Sequence, residues 1–148
     1  MNNEKIYNGS KICLITSQLF LIAGIYNIYH KNFLLGILII LLSIASSLYH
    51  YDGNKKAKQF DIFMIYFTGS VCILISLYNK NIIPLLILII AGFLYKNNNN
   101  IFLQKLKDKS KIKTPNNETH LYDNIYHIFV HLTAFIGTLT LIYNTKKI

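Results

Sequence analysis

Residues 33–50 read FLLGILIILLSIASSLYH, and their pattern decides the fold. From Phe33 to Leu42 no residue is polar, so the alternation that marks a half-wet strand is missing. The run falls within the 17–25 mostly apolar residues that carry a helix across a bilayer. A membrane barrel strand would alternate apolar and polar residues, which excludes that solution here. The stretch therefore reads as a membrane helix. Its last turns change character. Ser43, Ser46 and His50 follow one another at spacings of three and four, which places them on one helical face.

Working outward, four more apolar segments stand out, near residues 12–29, 60–78, 82–95 and 121–143. The segment 82–95, IIPLLILIIAGFLY, is short for a span. It reads as a core or re-entrant helix, or as a span that continues towards Phe102. Residues 96–120 are polar, rich in Asn and Lys, and contain Pro115, so they read as an exposed loop. A basic interfacial helix around residues 101–113 is an open alternative within it. Tyr29, Tyr49, Tyr51, Tyr78, Tyr95, Tyr122 and Tyr143 lie near segment ends, as an interfacial aromatic belt requires. The expected fold is all-α: a single transmembrane domain over residues 1–148, built as a polytopic bundle of about five membrane helices.

Composition agrees. Only 14% of the 148 residues are charged, against about a quarter in ordinary soluble domains. Mean hydropathy is +0.36, which also excludes a disordered chain. The formal charge of +9 comes from 15 basic residues, all Lys. Eleven of them fall before the first segment, between the second and third, or in 96–120. If all five segments span, those regions share one side, and the positive-inside rule makes that side and the N-terminus cytoplasmic. The basic excess carries no Arg-rich patch or nucleic-acid motif, so the expected partner is the membrane, not nucleic acid. Cys13 and Cys72 sit in apolar runs with no CxxC pair, which argues against a disulfide framework. The first apolar run follows no small-residue cleavage site, and it reads as a retained helix rather than a signal peptide.

Few ionisable residues remain inside the segments, and each is a functional candidate because its burial in lipid is costly. Those that carry the argument are His50, Asp61, His127 and His131. His127 and His131 stand one helical turn apart, so both reach one ion. With five spans, the end of the second segment, the start of the third and the first half of the fifth meet in one leaflet. Three imidazoles with an open position suit a catalytic Zn²⁺. Asp61 is then the carboxylate that takes a proton from the water, and Ser46 a hydrogen-bonding partner of the water or of a developing oxyanion. Each residue also has a plainer reading. A lone membrane His or Ser commonly bonds helix to helix. Asp61 could cap the N-terminus of the third helix. His30 and His120 fit interfacial loops.

Ser46-Ser47-Leu48-Tyr49-His50, Asp61 within Phe60–Tyr66, and His127-Ile128-Phe129-Val130-His131 together resemble the CREST superfamily of membrane proteins. That superfamily includes alkaline ceramidases, progestin and adipoQ receptors, and hemolysin III proteins. Its pattern is SxxxH late in the second helix, Asp early in the third, and HxxxH in the last. The resemblance implies a zinc-dependent hydrolase with ligands His50, His127 and His131. Asp61 and Ser46 would position and activate the water, and an amide-linked lipid such as ceramide would be the substrate. Family members usually have seven helices, whereas this chain reads as five. The N-terminal MNNEKIYNGSK holds one acidic residue, Glu4, so the ceramidase calcium cluster is not expected. The leading expectation is a ceramidase-like zinc hydrolase of lipid amides or related lipids. A non-enzymatic receptor, sensor or structural membrane protein of the same superfamily is the alternative, and a metal-free bundle glued by its polar residues is a third. The sequence leaves the oligomeric state open.

Overall fold

The computed structural model describes residues 11–52, 54–109 and 118–145. Five helices follow one another: α1 (Lys11–Tyr29), α2 (Phe33–Asp52), α3 (Lys55–Tyr78), α4 (Ile82–Lys109) and α5 (Glu118–Thr145). No strand occurs among the described residues. Three helices are long and apolar enough to cross a membrane: Lys11–Tyr29, Phe33–Tyr51 and Lys55–Tyr78. The apolar stretches found in α4 and α5, Ile82–Asn97 and His127–Leu141, are shorter.

Two helix starts and one helix end differ from the sequence reading. α3 begins at Lys55 rather than near residue 60 because Asn54 caps it: the Asn54 side chain accepts the Ala57 backbone N–H at 2.7 Å. Residues 96–109 are helical instead of looped, since α4 continues through the Asn-rich run. Asn lowers helix propensity only weakly, and extending a helix already nucleated costs far less than starting one. α5 starts at Glu118, before the apolar segment itself.

Tight turns join α1 to α2 and α3 to α4. Lys31 (φ 66°) and Lys80 (φ 51°) take the left-handed conformation after α1 and α3. At the first turn Asn32 N–H donates to the Asn27 carbonyl and Lys31 N–H to the Ile28 carbonyl, both at 2.9 Å. The second repeats this pairing with Asn81 to Ser76 and Lys80 to Leu77. Both are Schellman caps, which satisfy the last carbonyls of a helix and reverse the chain.

α1 lies on α2 and α5, and α4 lies on α5 and α3. The α1–α2 crossing is close because it is made of glycines. A Cβ on Gly24 would stand 2.9 Å from the Gly36 carbonyl oxygen, and one on Gly36 would stand 2.8 Å from that of Gly24. Phe20, Ile39, Leu42, Ala45, Met64, Cys72 and Leu141 form the apolar core. Around it the distribution is inverted relative to a water-soluble bundle. Ser17, Asn27, Ser43, Ser46, Asp61, Thr68 and Ser76 are buried, while Ile15, Leu34, Phe63, Leu74 and Ile82 are exposed. In water such a surface is a liability, whereas in lipid apolar exteriors and polar inter-helix contacts are the stable arrangement.

Candidate metal centre

The last turn of α2, the second turn of α3 and the middle of α5 meet at one end of the bundle. His50 and His131 are 3% and 4% exposed, and His127 between them is partly open. One ring nitrogen from each lies within 4.8 Å of the others, so the three offer ligands for one ion. His50 Nε2 and His127 Nε2 are 3.1 Å apart. At that distance either one nitrogen donates to the other or both direct lone pairs at a shared cation. The rings meet edge to face in all three pairs, with centroids 4.7–5.5 Å apart.

Asp61 and Ser46 border this cluster. Asp61 is 2% exposed and sits in the second turn of α3, well past Asn54. It is therefore not the helix cap that its place in the sequence permits. The Ser46 hydroxyl hydrogen-bonds the Asp61 carboxyl. One carboxyl oxygen, Oδ1, is buried and has no hydrogen-bond partner among the described residues. An orphan carboxyl oxygen is costly in a packed interior. Lys58, one turn earlier on α3, acts electrostatically on both Asp61 and His127.

α1 supports the site with residues that the sequence reading did not single out. Ser17 Oγ lies 2.8 Å from the Cys13 carbonyl oxygen and 3.0 Å from Ser46 Oγ. Ser43 Oγ donates to the Ser17 carbonyl at 2.9 Å, which ties α2 to α1 one turn deeper. Thr16 Oγ1 is 2.7 Å from His131 Nδ1. Phe20 presses edge-on against the His131 ring, 5.3 Å between centroids.

A cavity of about 290 Å³ opens beside the cluster. Ser46, Asp61, His127 and His131 line it where it meets the cluster, and the rest of the lining is mainly apolar, Leu42, Ile65 and Leu88 among it. Gly69 and Gly92 also line it, and a Cβ at either would meet nothing within 4 Å. One face of α4, with Leu88, Ala91, Gly92 and Tyr95, thus walls the cavity. Thr68 and Thr138 line the cavity too, and Thr68 Oγ1 is a second buried oxygen without a partner among the described residues.

All five candidates from the sequence, Ser46, His50, Asp61, His127 and His131, are gathered at this site. His30 is at the α1–α2 turn, against the rings of Tyr26 and Tyr29 and apart from the cluster. The side chain of His120 lies outside the described residues. Cys13 and Cys72 are not bridged. Comparison with models of known protein families, with curated proteins and with solved structures finds no match to this chain.

Proposed function

We propose that this protein is a zinc-dependent membrane hydrolase that cleaves a lipid amide or ester, with the site arrangement of the CREST superfamily. One observation carries the reading: three His side chains converge beside a buried carboxyl, at the edge of a mainly apolar cavity. Three nitrogens with a free fourth position is the ligand count of a catalytic rather than a structural zinc. Tetrahedral Zn–N bonds of 2.0–2.1 Å put the nitrogens about 3.3–3.4 Å apart. The His50–His127 separation of 3.1 Å is close to that edge. The widest separation of 4.8 Å is longer than that edge, so His50, His127 and His131 would have to close together to hold zinc.

His50, His127 and His131 would hold the ion. When bound, zinc supplies Lewis-acid polarisation of the carbonyl and lowers the pKa of water to about 7. The chain's own residues do the remainder. Asp61 receives the proton of the attacking water and returns it to the leaving amine or alcohol. Ser46 fixes the carboxyl by hydrogen bonding, and Ser17 stands behind Ser46. The cavity takes the apolar chain and keeps bulk water from the reacting carbonyl.

The proposed topology has five spans, with the N-terminus cytoplasmic. At 28 residues each, α4 and α5 are about 42 Å long, more than the bilayer core. A lipid then reaches the site laterally from the inner leaflet.

The test uses the full chain purified in lipid nanodiscs. Wild type should hold about one zinc and hydrolyse a long-chain amide lipid such as ceramide or a related ester. Asp61→Asn should keep the zinc and lose at least about 100-fold in kcat, the lower range for a general base. Zinc without turnover on any lipid amide or ester would sink the hydrolase reading and leave a metal-holding sensor or structural protein. Wild type without zinc would sink both.

A further inference from the structure

We infer that Thr16 is the positioning residue for His131: its hydroxyl donates to the Cys13 carbonyl, accepts the Nδ1–H of His131, and so leaves Nε2 as the nitrogen that faces the metal. The assignment rests on the metal centre proposed above, but its geometry can be argued independently. Thr16 Oγ1 stands 3.1 Å from the Cys13 carbonyl oxygen and 2.7 Å from His131 Nδ1. A hydroxyl has one proton and two lone pairs, and a carbonyl oxygen only accepts. The proton therefore goes to Cys13, and the bond to His131 is completed by the ring's own N–H. The reverse assignment sets two oxygen lone-pair regions against each other at 3.1 Å. It would also put the His131 proton on Nε2, where Ser46 Oγ, at 3.5 Å, is a distant acceptor.

The neighbouring hydroxyl completes the pattern. The Ser17 hydroxyl lies 2.8 Å from the same carbonyl oxygen and 3.0 Å from Ser46 Oγ, and Ser46 is hydrogen-bonded to Asp61. Consecutive residues of α1 then serve the two halves of the site: Thr16 holds a ligand and Ser17 holds the carboxyl through Ser46. Thr16 reaches no reacting atom itself. Metal-binding imidazoles are commonly oriented through their second ring nitrogen, and loss of that partner weakens metal binding by about 10–100-fold. Phe20 adds a steric limit, since its edge contact restricts rotation of the same ring.

Two measurements on the full chain test the assignment. The first is zinc affinity by chelator competition, with zinc alone as the probe. Thr16→Val keeps the shape and removes the acceptor, and it should weaken zinc binding by about 10–100-fold. Thr16→Ser should bind as wild type does. The second is nitrogen NMR of the histidine rings in zinc-free protein. Wild type and Thr16→Ser should carry the His131 proton on Nδ1, and Thr16→Val should lose that preference. Unchanged affinity in Thr16→Val, or a wild-type His131 proton on Nε2, overturns the proposal. If wild type binds no zinc, the metal reading fails and the ring tautomer alone decides the role of Thr16.

Discussion

At the scale of single residues, the site is a chain of hydroxyls and a carboxyl leaning on three imidazoles. Its weakest-looking member makes a sharp prediction. Ser17 touches neither the ligand cluster nor the cavity lining, yet it is hydrogen-bonded to Ser46, which bonds Asp61. In Ser17→Ala the Ser46 hydroxyl loses that partner. The net value of one hydrogen bond is about 1 kcal/mol, so kcat should fall roughly fivefold. Zinc content and affinity should stay at wild-type levels, because no ligand depends on Ser17. Steady-state kinetics and metal analysis on the same sample check both parts, and a loss of zinc with unchanged kcat per zinc-loaded chain would refute the assignment.

The same residues show where sequence reading succeeds and where it stops. His50, Asp61, His127 and His131 could be selected because ionisable groups in apolar runs are scarce and costly. Ser46 followed from its helical spacing to His50. Thr16 and Ser17 could not be selected this way. A hydroxyl in a membrane helix usually bonds its own backbone, and both do reach the Cys13 carbonyl. What distinguishes them is contact with α5 and α2, residues 115 and 29 positions away, which local pattern does not encode.

At the scale of elements, apolar runs located the helices, but their ends depended on other signals. Asn54 is a strong N-cap residue that moves the start of α3 to Lys55 and thereby places Asp61 inside the helix. Gly24 and Gly36 govern how two of these helices meet. In Gly24→Ala the new Cβ would come 2.5 Å from Ile40 Cγ1 and 2.9 Å from the Gly36 carbonyl oxygen. Side-chain rotation relieves the first contact, while only separating the helices relieves the second. Overpacking of this kind costs about 1–3 kcal/mol. Gly92→Ala is the matched control, since its Cβ would meet nothing within 4 Å and Ala gains about 1 kcal/mol of helix propensity. Thermal unfolding in detergent should therefore show Gly24→Ala below wild type and Gly92→Ala at or above it. Because Gly92 lines the cavity, its replacement should also raise KM for long-chain lipids while the fold holds.

At the scale of the whole molecule, the candidate site and the topology constrain each other. His50 lies in the last turn of α2, Asp61 follows the start of α3, and His127 and His131 lie in the first half of α5, so these parts share one end of the bundle. α3 leaves that end, and α5 enters from it, so α4 must run back between them. If α3 crosses a membrane, α4 must cross it too, despite an apolar stretch shorter than those of the first three helices. Single-cysteine labelling distinguishes this from a four-crossing or re-entrant arrangement. In a background with Cys13 and Cys72 replaced, Lys31→Cys and Lys80→Cys should react with an impermeant reagent from outside the cell. Asn54→Cys should react only after the membrane is opened. The decisive position is Lys111→Cys, in the connection between α4 and α5. Protection from outside means that α4 crosses, which puts the lysine-rich connection in the cytoplasm as the positive-inside rule requires. Reaction from outside means that α4 turns back. His127 and His131 would then enter α5 from the face opposite to His50, and a cluster whose ligand atoms lie within 4.8 Å of one another could not form inside a membrane.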